Sequence, residues 1–371
     1  MERYDRNKPY DALPLLPPQS GIEDDIDVLK KLVSASRALA AVNATVLRIP
    51  NPLMLINTIA LQEARTSTEI ENIFTTEDDL YKAVSDTAKE DRTNIATKEV
   101  LRYREALWAG YHELLKSGQI STDLIISIFQ QIKDTTAELR VPQAVIVIRR
   151  GESEFRAGET IYTPPRGRGI VEDLMVNLTE YLNDDQKYPV DPLLKMCIAH
   201  YQFEAIHPFQ DGNGRTGRVL NLLYMVNKKL LSLPVLYLSQ YIIRNKDDYY
   251  YNLAGVTQRG EWKNWTLYML DAVEKTSLFT SELIDDILGQ MSETFLHGKK
   301  HIKWYNKEVN EALFSQPYSK PKTLGEAIGK NSRTTVAKYM DDLVKAKILT
   351  PKRDGKEIYY INEDLIRILE R

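Results

Sequence analysis

The 371-residue chain has one cysteine, Cys197, so no disulfide can form within it, and a reducing cytoplasm is its expected location. No apolar run approaches the roughly 18 residues that suggest a membrane span, so no membrane partner is expected. The first residues, MERYDRNKPYDALPLLPP, carry charges throughout and no apolar h-region, so no signal peptide is expected. There is no internal repeat and no low-complexity tract. Charge of one sign is also missing. The formal net charge is -3 with 27% charged residues, which argues against a polyanion binder overall but leaves room for a local basic patch. What remains, with 43% hydrophobic residues, is a soluble globular composition, and the length calls for two or three domains.

Strand signals are scarce, and none appears before residue 144. Residues 1–20, with Pro14, Pro17 and Pro18, predict an extended arm on the surface or on a neighbouring domain. Helical apolar spacing covers 22–48 through Ile26, Leu29, Leu32, Val33, Leu39 and Val42. Residues 53–65 read as another helix, 67–72 as the start of a further short one, and 97–117 as a long amphipathic helix. The β-branched run at 144–150, followed by Gly151, Gly158 and the Pro164-Pro165 pair, predicts a β-hairpin within 144–170. Helices are expected again at 171–183, 191–206, 214–230, 246–257 and 261–289. Beyond residue 297 come a helix, a turn near Gly329, a second helix and a hairpin at DGKEIYYIN, an order similar to a winged helix-turn-helix. The expected fold is all-α with two small hairpins. Its parts are a helical N-terminal region (1–95), a core (96–275) and a linker helix with the winged module (276–371).

The densest chemistry lies in His207-Pro-Phe-Gln-Asp-Gly-Asn-Gly-Arg-Thr-Gly-Arg218, between the helical patterns MCIAHYQFEAI and RVLNLLYMV. It is a loop that ends at a helix N-terminus. Gly212 and Gly214 permit positive φ and close backbone approach. Successive N–H groups there, with the unpaired amides of the next helix, form an anion-binding nest. Arg215 and Arg218 add positive charge, and Asn213 an amide donor, which suits a polyphosphate. Asp211 suits a Mg²⁺ ion bridging phosphates. His207 titrates near neutrality and can take a proton from an attacking hydroxyl. Singly, each feature is more often structural: a histidine before proline, a tight turn, a helix cap. Gly212-x-Gly214-x-x-Gly217 also matches a dinucleotide fingerprint, but a helix precedes it and no acid follows until Asp247, well past the expected second strand.

The loop resembles the signature of Fic (Fic/DOC) proteins, HPFx(D/E)GNGRxxR, without departure. The resemblance covers roughly residues 100–275 and implies a helical core with a β-hairpin flap. It also implies transfer of AMP from ATP to a Ser, Thr or Tyr hydroxyl of a target protein or of the enzyme itself. By that resemblance His207 is the general base and Asp211 the Mg²⁺ ligand. Gly212, Asn213, Gly214 and Arg215 cradle the α- and β-phosphates, and Arg218 holds the γ-phosphate. Gly158–Pro165 stands where the family places its flap, so Thr160, Ile161 and Tyr162 are the expected target-binding residues. Residues 248–257 stand where it builds the adenine pocket, with Tyr250 and Leu253 on the purine. Helix packing is the other reading of that tyrosine run.

Ser67-Thr-Glu-Ile-Glu71-Asn72 fits the inhibitory pattern of the same family, (S/T)xxxE(G/N). Ser67 and Glu71 share a helix face, and Glu71 is expected to pair bidentately with Arg218, taking the arginine meant for the γ-phosphate. The same letters fit ordinary capping boxes, Thr66-x-x-Glu69 and Thr68-x-x-Glu71. In the C-terminal module, residues 320–371 hold twelve Lys/Arg against eight Asp/Glu. DNA is therefore a candidate partner through 331–335, Lys352, Arg353 and Lys356, whereas Asp341 and Asp342 favour protein contacts. A homodimer is a candidate assembly. The alternatives to AMP transfer are the reverse reaction, with Glu71 positioning water, and a DNA-binding regulator that uses the nucleotide site as a sensor.

Overall fold

The computed structural model describes residues 4–49, 51–85, 93–150, 158–329 and 332–371. The Asp25 carboxylate accepts hydrogen bonds from the Asp27 and Val28 amides and so opens α1 (Ile26–Leu47). α2 (Pro52–Ile70) begins with proline in its first turn. The short helix expected to start at 67 is instead the last turn of α2. Thr68 bonds back to the Ala64 carbonyl at 2.8 Å and Thr66 to the Tyr237 hydroxyl at 2.5 Å, so neither caps a new helix. α3 (Glu77–Ser85) and α5 (Thr122–Lys133) were not foreseen; between them runs α4 (Ile95–Ser117), ended by Gly118 at φ 69°.

β1 (Ile148–Arg150) and β2 (Glu159–Tyr162) pair antiparallel as the expected hairpin, whose 151–157 connection lies outside the described residues. There follow α6 (Ile170–Asn183), α7 (Pro192–Ile206) and α8 (Asn213–Asn227), then the short unforeseen α9 (Leu238–Arg244) and α10 (Lys246–Arg259). α7 and α8 form the centre. Every residue from Leu193 to Ile206 is buried, the polar ones included. A helix buried on all sides must satisfy its polar groups internally. Lys195 accordingly meets Asp185 at 2.7 Å, and His200 meets the Tyr249 hydroxyl at 2.9 Å.

α11 (Trp262–His301) is a 40-residue strut. α1 lies along it, fastened by Lys31 to Asp271 and Glu274, and the buried Trp265 donates to the Cys197 carbonyl at 2.7 Å. Beyond it come α12 (Lys307–Phe314), β3 (Tyr318–Ser319), α13 (Pro321–Ala327), α14 (Arg333–Lys345), β4 (Thr350–Asp354), β5 (Glu357–Ile361) and α15 (Glu363–Leu369). The expected second hairpin is part of a three-stranded sheet, ordered β3-β5-β4, because Tyr318 pairs with Ile361. Residues 330–331, within the segment expected to open the second helix, lie outside the described residues.

Contacts with α3 help fix this module to the rest. Asp78 on α3 accepts from the Tyr318 hydroxyl at 2.7 Å and from Lys352 at 2.8 Å, and Lys82 meets Asp354 at 2.5 Å. Lys352, expected to flank the wing as a basic contact, is thus committed to α3. Asp342 accepts from the Trp304 indole at 2.9 Å, and that indole stacks on Tyr339. The N-terminal arm is extended, as expected, and lies on the flap and on α6–α7. Tyr10 donates its amide to Thr163, Leu16 to Asn177, and Gln202 donates to the Pro14 carbonyl.

Asp78 and Lys352 are partly exposed while Tyr318 is buried, so Asp78→Ala should lower global stability by about 1 kcal/mol, chiefly through the lost Tyr318 hydroxyl bond. It should nevertheless speed hydrogen exchange in α3. Unchanged exchange across α3 would show that the module does not hold this helix.

Candidate active site

His207 terminates α7. Its backbone is left-handed, at φ 51°, and its amide donates to the Phe203 carbonyl at 3.0 Å. A residue the sequence reading missed, Arg140, holds this corner. Its Nε donates to the His207 carbonyl at 2.8 Å, and its Nη2 donates to the Ile206 and Pro165 carbonyls. It ties the catalytic loop to the end of the flap. Burial pushes the His207 imidazole down to about 4, and the Arg140 guanidinium adds to this, against the Glu204 carbonyl, Glu71 and Asp211. At neutral pH the ring is therefore neutral and able to accept a proton.

Gly212 starts α8 at φ 83°, a conformation in which other residues are strained. Asn213 spans the loop, exchanging both amide hydrogen bonds with the Phe209 backbone at 2.9 Å. Its side chain shapes the nest instead of pointing into it. The Arg215 side chain is also turned away: it is buried and paired with Glu99 on α4. What these two positions offer a ligand is their place in the first turn of α8, where unpaired N–H groups and the helix dipole favour an anion. Asp211 lies at the mouth, with Lys133 at 2.6 Å. Partial burial would raise its pKa, but Lys133, the Gly212 amide and Arg215 outweigh that and hold it below the usual carboxylate range.

Arg218, one turn further along α8, is fully buried. Its Nε donates to the Ser67 hydroxyl and its Nη2 to the Ser67 carbonyl, both at 2.7 Å, while Nη2 also meets Glu71 Oε1 at 2.7 Å. The expected bidentate pair is therefore a single oxygen contact, because Ser67 takes the rest of the arginine's edge. A β-carbon at Gly214 would come within 2.3 Å of Glu71 Oε1, so the carboxylate lies directly on the first turn of α8. The Glu71 side chain is one-third exposed and Arg218 is not. Beneath them Glu63 accepts from the Ser239 amide and hydroxyl and from Tyr103.

Asn72 explains the end of the motif. It stands at φ 62°, with its amide on Glu69 O and the next amide, of Ile73, on Thr68 O. That is a Schellman ending, in which asparagine tolerates the left-handed position. It stops α2 where Glu71 faces α8.

The cleft around these groups has a cavity volume of about 170 Å³. Ile161 and Tyr162 of the flap line it, while Thr160 is paired across to Arg149. The Tyr162 hydroxyl donates to the Ala205 carbonyl at 2.8 Å, which locks the flap onto α7. Tyr250 and Leu253 of α10 line the far end, beside Thr257. Three lining residues had no signal in the loop motif: Tyr4 from the arm, Tyr201 and Glu204. The spacing Glu204-x-x-His207, three apart on one helix, was the only available clue to the last.

Sequence profiles match in three consecutive blocks: "Fic/DOC family N-terminal" over 29–112, "Fic/DOC family" over 119–225, and "Protein adenylyltransferase SoFic-like, C-terminal domain" over 276–365. The chain belongs to the Fic/DOC family. The protein adenylyltransferase Fic of Aedes aegypti is 33% identical over 163 residues, which are 42% of this chain and 31% of that one. The protein adenylyltransferase fic-1 of Caenorhabditis elegans is 42% identical over 65 residues, covering 17% of this chain and 13% of that one. The chain thus spans less than a third of the length of these curated relatives. Among solved structures, a Fic family protein from Desulfovibrio desulfuricans aligns with TM-score 0.57 and 20% identity over 91% of this chain and 96% of that one. Fic-1 of Caenorhabditis elegans aligns with TM-score 0.52 and 19% identity over 68% and 70%. At these identities the two share the Fic fold. Among the described residues no helix is long and apolar enough to cross a membrane.

The Schellman ending makes a stability prediction. Asn72→Ala keeps a β-carbon in the left-handed region without the short polar side chain that makes it tolerable, and should cost roughly 1 kcal/mol, whereas Asn72→Gly should not. Urea midpoints for the two variants test this, and equal midpoints would contradict it.

Proposed function

We propose that the protein transfers AMP from ATP to a hydroxyl of a target protein and is restrained by its own Glu71. The observation that carries this reading is the juxtaposition, in one cleft, of a neutral His207, the α8 N-terminus and a buried Arg218 covered by Glu71. The first turn of α8 would bind the α- and β-phosphates through backbone N–H groups. Arg218 would hold the γ-phosphate once Glu71 moves off it. Tyr250 and Leu253 would face the purine, and Ile161 and Tyr162 the target segment. His207 would take the proton of the incoming hydroxyl as its oxygen attacks the α-phosphorus and pyrophosphate leaves.

Magnesium fits the same place. No cluster of three or more potential ligands occurs among the described residues, and Asp211 is a single, largely exposed carboxylate at the loop's mouth. One carboxylate completed by phosphate oxygens and water is a usual magnesium arrangement. Asp211 would hold the ion, displacing Lys133, and the bound ion would neutralise phosphate charge. In the C-terminal module Arg333, Lys338 and Lys345 are exposed on α14, the helix that would meet DNA, but Asp341 is exposed among them. Protein contact is the reading we favour there, since the wing lies against α3.

The test is Glu71→Gly protein incubated with Mg²⁺ and ATP labelled on the α-phosphate. Label should appear on protein, and His207→Ala in the same background should reduce it by about 10²–10⁴-fold while leaving ATP binding nearly intact. Unlabelled protein, or full labelling without His207, would overturn the reading. The pH profile is a second check. Glu71 is among the influences that raise the His207 pKa, so its removal moves that pKa further down from about 4. The kcat/KM of the variant should therefore hold as pH falls from 8 to 6. Half-loss at the ordinary histidine value of 6.5 would contradict a buried, neutral base.

A further inference from the structure

The cleft has a polar group that no part of the transfer reading uses. Most of the polar side chains lining it are committed. Tyr201 bonds Thr257 at 2.8 Å, Tyr249 bonds His200 at 2.9 Å, Tyr162 bonds the Ala205 carbonyl, and Arg218 is held by Ser67 and Glu71. Two lining side chains carry buried atoms without a hydrogen-bond partner: His207 Nδ1 and Glu204 Oε1. His207 is the base. Glu204 is 9% exposed and comes from the last turn of α7. A buried carboxyl oxygen left unpaired costs about 1–3 kcal/mol, so its presence in a cleft needs a reason.

We infer that Glu204 is a specificity residue that recognises the ribose hydroxyls of the bound nucleotide. The inference rests on the transfer reading for the identity of the ligand. Its position decides the ligand group. A β-carbon at Gly217 would come within 2.6 Å of Glu204 Oε1, just as one at Gly214 would meet Glu71 Oε1 at 2.3 Å. The two carboxyls thus lie against successive turns of α8, about 5 Å apart along its axis. In the transfer reading the α-phosphorus lies within reach of His207, and Glu204, three residues before it in the last turn of α7, stands beside the group bonded to that phosphorus, the sugar, and not the more distant base. The surroundings agree. Tyr249 is already bonded to His200, and Leu253 and Ala205 are apolar, so the unpaired Glu204 oxygen is the buried polar atom on this wall that is open to the sugar's hydroxyls. Burial pushes the Glu204 carboxyl up to about 8, with Glu71 adding and Arg218 opposing. At pH 7 it is mostly protonated, so it both donates and accepts, as a hydroxyl does.

The test measures binding, not transfer. Dissociation constants of ATP, 2′-deoxyATP and 3′-deoxyATP are determined at pH 7 on Glu71→Gly protein and on the same protein carrying Glu204→Gln or Glu204→Leu. With Glu204 in place, at least one deoxynucleotide should bind roughly five- to thirty-fold more weakly than ATP. Glu204→Gln, which mimics the protonated acid, should retain most of that ratio. Glu204→Leu should bring it near one by weakening ATP and not the deoxynucleotide. A ratio near one with Glu204 in place overturns the inference whether or not the leucine variant folds. So does a ratio that survives Glu204→Leu. Failure of every nucleotide to bind folded Glu71→Gly protein would instead overturn the transfer reading itself.

Discussion

The cleft is organised around one guanidinium. Arg218 is buried in the middle of the molecule, where an uncompensated charge is not tolerated. Burial alone would lower its pKa, yet Glu71, Tyr103 and Tyr249 hold it above its ordinary value. The compensation comes from α2: the Ser67 hydroxyl, the Ser67 carbonyl and one oxygen of Glu71. Several other features follow from meeting that need. α2 must run unbroken to residue 70, must stop where Asn72 can turn left-handed, and must lie against the first turn of α8. On the function we propose, a complete charge pair in the resting state and a phosphate site in the working state would use the same cation.

That double use gives the proposed regulation its physical form. The Ser67 contacts do not involve Glu71, so on the function we propose they would keep the guanidinium oriented when Glu71 leaves. Glu71 contributes one oxygen, is partly exposed and sits at the end of its helix. It is the partner that can leave. Beneath Glu71, Gly214 supplies the space, since a side chain there would collide with the carboxylate. On the function we propose, the same absence of a β-carbon would let a phosphate approach the α8 amides.

Much of this was legible in the sequence because the chemistry is local. The loop from His207 to Arg218 is contiguous, and its flanking helices have strong apolar patterns. The sequence placed Glu71 four residues after Ser67, but not the way Ser67 takes the greater share of Arg218. That depends on a tertiary contact across 151 residues of chain. Arg140 was invisible for a similar reason: a lone arginine in a loop gives no sign that it will clamp three carbonyls. Arg215 and Asn213 were read as phosphate ligands from residue type, whereas burial commits their side chains to Glu99 and to the Phe209 backbone. The short helices α3, α5 and α9 carry too few turns for periodicity to stand out. Glu204 looked like an ordinary helix residue because its significance lies in the partner it lacks.

On the function we propose, Glu71 acts through Arg218 and not through the stability of α2. The most direct measurement is a cycle of initial labelling rates, with α-phosphate-labelled ATP, for wild type, Glu71→Gly, Arg218→Ala and the double variant, each shown to be folded. The account predicts a higher rate for Glu71→Gly than for wild type. It predicts a low rate for Arg218→Ala and the same low rate for the double variant, because the gain requires the arginine. An equal or lower rate for Glu71→Gly, or the same gain with Arg218 removed, would contradict it.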